Sequence, residues 1–62
     1  MDSTKTRIIE VTKQLFSEIG CEKVTMRDIA EKSNISLGNL TYYFRRKEDI
    51  FAAAFEDLLL RI

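Results

Sequence analysis

Sixty-two residues, a formal net charge of zero, a single cysteine and no histidine or proline exclude more than they specify. The length builds one domain at most, close to the size at which a single hydrophobic core only just holds together. Without histidine there is no Cys/His or Ser/His nucleophile pair and no metal cluster of the usual kind, so an enzyme, a cofactor and a metal centre are not expected. Cys21 has no second cysteine to pair with. No apolar run approaches the length of a membrane span, and the opening MDSTKTRIIE lacks the apolar core of a signal peptide. A soluble, cytoplasmic chain is the expectation.

The neutral total conceals a gradient. Residues 23–47 carry six cations (Lys23, Arg27, Lys32, Arg45, Arg46 and Lys47) against Asp28 and Glu31, a net of +4, while the segments on either side are net negative. Positive potential is concentrated in the middle third. Such a run is either a solvated face or a contact surface for an anion.

With two glycines, no proline and no alternating strand pattern, the class is all-α. The first helix is predicted from about Thr4 to Ile19, with Ile8, Thr12, Leu15, Phe16 and Ile19 as its apolar stripe. Gly20 ends it by taking a left-handed conformation, and Cys21 then falls where a Schellman cap places an apolar contact back to Phe16. The second helix opens at Thr25, with Asp28 three residues on as an approximate capping box. It is expected to bury Met26, Ile29, Ala30 and Ser33.

The next stretch, KSNIS, leaves only three or four residues for a sharp bend. Asn34 is among the few residues besides glycine that tolerate positive φ, Ser36 is a good N-cap, and a third helix follows from Leu37 to about Tyr43. Ala30 is small where two crossing helices approach, and Ile35 and Leu40 can plug the angle between them. This order of small residue, turn residue and apolar wedge is the mechanical requirement of a helix-turn-helix. The fourth helix begins near Lys47 and carries Ile50, Phe51, Ala54, Phe55, Leu58, Leu59 and Ile62, with no breaker before the sequence stops.

Between these helices stand Tyr42, Tyr43 and Phe44, followed by Arg45, Arg46 and Lys47. Successive side chains on a helix are separated by about 100°, so three adjacent aromatics cannot share one core. Phe44 falls four residues after Leu40 and is assigned to the core with it. Tyr43 is either a half-buried ring with its hydroxyl at the surface or a direct contact, and Tyr42 points away from the core. Arg27 could pair with Glu31 four residues on, a surface bridge worth ~0.5 kcal/mol, or reach an external anion. Arg45 reads as a solvated cation.

Three blocks, RIIEVTKQLFSEIG, VTMRDIAEKSNIS and GNLTYYFRRKEDIF, in this order and spacing, resemble the N-terminal DNA-binding domain of the TetR family of bacterial transcriptional repressors. The resemblance runs from Arg7 to Phe51. It implies a homeodomain-like, three-helix DNA-binding bundle over residues 1–46, whose third helix enters the major groove of a palindromic operator half-site. Residues 47–62 would start a helix leading to a C-terminal domain absent from this sequence, which in the family forms the homodimer and usually binds a small-molecule inducer. Double-stranded DNA is the implied partner, with no membrane involved.

Carried over by position, the resemblance assigns Arg27 to a base or phosphate, Leu37, Gly38, Asn39, Thr41, Tyr42 and Tyr43 to the groove face, and Lys47 to a phosphate. Two positions depart from the family pattern. Thr41 stands where a tyrosine is usual, so the resemblance implies a phosphate contact that is shorter or missing there, with Tyr42 as its replacement. Arg46 stands where a small polar residue normally caps the fourth helix; it cannot cap, and is expected to contact phosphate instead. A helical protein-interaction module, using Tyr42, Tyr43 and the apolar fourth helix as a sticky face, is the competing reading.

Overall fold

The computed structural model describes residues 4–60. Within them the chain forms four α-helices: α1 (Thr4–Ile19), α2 (Met26–Ser33), α3 (Leu37–Tyr43) and α4 (Lys47–Leu60), with a 3₁₀ turn at Cys21–Lys23. There is no strand among the described residues, and no helix there is long and apolar enough to cross a membrane. The central element is α1, which packs on both α2 and α4, while α3 is held through α2.

The core is built from Ile8, Val11 and Leu15 of α1, Val24, Ile29 and Ala30 around α2, Leu40 and Phe44 of the α3 segment, and Ile50 of α4. Each large aliphatic side chain taken fully out of water contributes roughly 1.5–3 kcal/mol. Thr12 is buried among them, and its hydroxyl donates to the Ile8 carbonyl at 2.8 Å, so it brings no unpaired donor inside. The buried stripe therefore runs through residues 8, 11, 12 and 15. It includes Val11, and leaves out Ile19, which is 42% exposed. The reason is geometric: α2 is only 8 residues long, and Ile19 borders an open groove whose far wall is Asp28, Glu31 and Lys32.

The turn after α1 also differs from expectation. Gly20 has positive φ, but at φ 85° and ψ 143° it lies outside the left-handed helical region. Its N–H still reaches the Phe16 carbonyl at 3.1 Å. The chain then tightens into the 3₁₀ turn, with Cys21 exposed instead of packed on Phe16. The apolar residue that returns to the core is Val24, fully buried.

A Schellman motif occurs one helix later. Asn34 adopts φ 61° and ψ 42°; its N–H bonds Glu31 O at 3.0 Å and the N–H of Ile35 bonds Ala30 O at 3.0 Å, the paired bonds that define the motif. At the opposite end of α2 the capping box is complete, with Thr25 Oγ1 accepting from Asp28 N–H and Asp28 Oδ2 accepting from Thr25 N–H, both at 3.1 Å. Ile29, Ala30 and Ser33 are buried as expected, whereas Met26 at the first turn is only half-buried. Ser36 caps α3 by accepting from the Asn39 N–H at 3.0 Å.

Side-chain packing joins α1 to α4. Phe16 meets Phe51 edge-on, with centroids 4.8 Å apart, and stacks on Phe55 at 5.1 Å. Lys13, its side chain only 12% exposed, pairs with Glu10 on α1 at 2.8 Å and with Asp57 on α4. Beyond Ala54 the apolar face of α4 is uncovered: Phe55, Leu58, Leu59 and Leu60 range from 44% to 78% exposed. Ile62 lies outside the described residues.

Candidate nucleic-acid interface

Leu40 fixes the orientation of α3. It is fully buried, and at about 100° per residue Gly38 and Tyr42 lie about 160° from it, on the outward side, with Asn39 and Thr41 on the flanks. The exposures follow this geometry. Tyr42 is 82% exposed, and Gly38, Asn39 and Thr41 are likewise exposed; Leu37, only about 60° from Leu40 around the helix, is still 44% exposed as the first residue of α3. Tyr43, closer to the core, is half-buried and meets the Tyr42 ring edge-on at 5.3 Å. Phe44 is buried, and it closes α3 with extended backbone, its N–H bonded to Leu40 O at 2.9 Å. The row of three aromatics thus divides into one ring outside, one at the boundary and one inside.

The donors and acceptors on this face are unequally free. The Asn39 backbone serves the Ser36 cap, but its side-chain amide has no partner among the described residues, leaving a donor and an acceptor of the kind that pair bidentately with adenine. Thr41 is different: its hydroxyl donates to Gly38 O at 2.9 Å. A phosphate offers acceptors only, so a threonine whose proton is committed to its own helix is poorly suited to replace a tyrosine there. Gly38 has nothing within 4 Å of where a Cβ would stand. The fold itself therefore does not require glycine at this position.

Two cations stand near the N-termini of the helices that precede and follow α3 in the chain. Arg27 is exposed in the first turn of α2 and makes no ion pair with Glu31 or any other carboxylate among the described residues. The bridge to Glu31 that the spacing allows is not formed. Lys47, the first residue of α4, is half-buried, its Nζ 5.7 Å from the centroid of Phe51. Arg46 provides no side-chain cap; its carbonyl accepts from the N–H groups of Asp49 and Ile50, and its guanidinium is 3.6 Å from Asp49. That pair is too exposed to hold the arginine firmly. Arg45 is solvated. Lys5 of α1, which no sequence spacing connects to this region, lies over Phe44 with its Nζ 5.5 Å from the ring centroid.

Two short helices locked at a tight turn, the second presenting an exposed aromatic and amide face beside unpaired cations, constitute a helix-turn-helix DNA-binding domain of a transcriptional regulator. The family described as "Bacterial regulatory proteins, tetR family" matches residues 8–54, and the chain belongs to that family. Among curated relatives, the HTH-type transcriptional regulator QacR of Staphylococcus aureus is 40% identical over 47 residues, covering 76% of this chain and 25% of the relative. The uncharacterized HTH-type transcriptional regulator YfiR of Bacillus subtilis is 34% identical over 55 residues, covering 89% of this chain and 27% of the relative. The HTH-type transcriptional regulator BetI of Escherichia coli is 30% identical over 59 residues, covering 94% and 30%. The chain thus spans between a quarter and a third of the length of these relatives. No solved structure matches it significantly.

Proposed function

We propose that α3 enters the major groove of one half of a palindromic operator, and that the regulator containing this chain acts in the cytoplasm as a repressor by occupying that site. One observation carries the reading. The outward face of α3, with Gly38 and Tyr42 opposite the buried Leu40, has no use inside the fold. Leu37, Asn39 and Tyr42 would meet base edges, sugars or phosphate, with Tyr43 at the margin. Gly38 lets the helix backbone approach closely. Thr41 contributes surface more than a phosphate bond. Arg27 reads a base edge, and Lys47 and Arg46 hold phosphates at the start of α4.

A seven-residue helix spans only about 10 Å, and paired half-sites lie about one helical turn or more apart. Residues 1–46 would therefore serve one half-site. The segment from residue 47 onward would connect to a domain that forms the homodimer and takes a small-molecule inducer. The uncovered end of α4 suits that connection, and the sticky-face reading is absorbed into it.

The test begins with selection of DNA sites by the full-length dimer, followed by two substitutions. Lys47→Ala should weaken selected and random DNA by similar factors and reduce the salt slope by about one charge. Arg27→Ala should lose roughly 1–3 kcal/mol on the selected site and relax preference at one position. Salt-independent behaviour, or self-association without DNA affinity, would defeat the proposal.

A further inference from the structure

Lys5 lies outside the basic third of the sequence, yet the fold seats it on Phe44, the residue that precedes Arg45. Its ammonium is 5.5 Å from the Phe44 centroid, within the range at which a ring face holds a cation. Phe44 is a rigid platform, 8% exposed and bonded through its N–H to Leu40 O, and Arg45, Arg46 and Lys47 follow it directly. Lys5 itself is exposed and has no acidic partner among the described residues. The carboxylates nearest in the chain to this basic run, Glu48 and Asp49, open α4, and Asp49 faces Arg46.

A carboxylate partner would fix Lys5 by neutralising it. An aromatic ring fixes it and leaves the charge available. The same device occurs at Lys47, whose ammonium is placed by Phe51. Two lysines from distant parts of the chain are thus each seated on a ring, and the two arginines lie between those rings in sequence. Phe44 is the chain neighbour of Arg45, so a lysine seated on its ring joins the start of the basic run, where cations act together on backbone phosphates.

We propose that Lys5 is a phosphate contact of the DNA-bound protein, delivered to the basic cluster by Phe44. The inference rests on the reading above that α3 enters the groove. It extends the binding surface to α1, an element otherwise devoted to the core.

The experiment measures affinity of the full-length regulator for a short random-sequence duplex as a function of salt, for the wild type and for Lys5→Gln, Lys5→Met and Lys5→Arg. The Gln and Met variants should lower the log–log salt slope by about 0.9 and weaken binding about fivefold to tenfold at 0.1 M salt, while Lys5→Arg keeps the wild-type slope. Lys5→Met retains an apolar stem over Phe44, so its melting temperature should match the wild type. Slopes for Gln and Met parallel to the wild type would reduce Lys5 to a cover for the ring and overturn the inference. So would an arginine variant that loses as much as glutamine. A wild type with no salt-dependent DNA affinity would remove the functional reading itself, and this inference with it.

Discussion

The α2–α3 unit and the α1–α4 pair are built in opposite ways. In the first, two helices of 8 and 7 residues are set by backbone devices: the Thr25 and Asp28 capping box, the left-handed Asn34 with its paired bonds, and the Ser36 cap. In the second, helices of 16 and 14 residues are joined by side chains, through the Phe16, Phe51 and Phe55 cluster and the Lys13 bridge from Glu10 to Asp57. The difference separates two tasks. Backbone devices determine the angle at which α3 is presented, and side-chain packing supplies the platform that keeps that angle in place.

The strongest way to break this contrast is Phe16→Ala. Removing a fully buried phenylalanine costs about 3–5 kcal/mol. Phe16 is half-buried but has two aromatic partners, so a loss of about 2–3 kcal/mol is expected in urea unfolding. A loss below about 1 kcal/mol would mean that α4 is held by something other than this cluster.

At the turn the effect should be smaller and sensitive to chemistry. Valine at Asn34 must carry a branched Cβ at φ 61° and should destabilise by about 1–2 kcal/mol, while Asn34→Gly should be nearly neutral or mildly stabilising. Equal stability of the two variants would show that the positive φ is not what sets the bend.

The smallest predicted change has a sign opposite to its effect on function. Gly38→Ala meets open space in the free protein and should stabilise α3 by about 0.5–1 kcal/mol, yet DNA affinity should fall because the added methyl group lies on the outward face. Unfolding and DNA titration of the same variant read both signs. If affinity is unchanged, close approach at Gly38 plays no part in binding.

The same division explains what could be read from the sequence. The spans of α1 and α3 and the starts of α2 and α4 were legible, those around the turn because Thr25, Asn34 and Ser36 act on backbone groups only a few residues away. The outward face of α3 was legible once Leu40 was assigned to the core. Ile19, Cys21 and Val24 were not, since their burial depends on where a helix of 8 residues crosses one twice its length. The same holds for Lys13, whose partner Asp57 lies 44 positions away, and for Lys5 on Phe44. Such contacts are made by tertiary packing, and local spacing carries no trace of them.

The outward ring on α3 has one more consequence. The chain contains no tryptophan and only two tyrosines, Tyr42 and Tyr43, and both stand on the helix assigned to the groove, their rings edge to face at 5.3 Å. Nearly all near-ultraviolet emission from these residues therefore originates at one spot. Tyr42, the more solvated of the two, would be quenched by a base or phosphate that covers it. This stretch of chain carries its own optical label, placed by the fold at the surface where an added dye would most disturb what it was meant to observe.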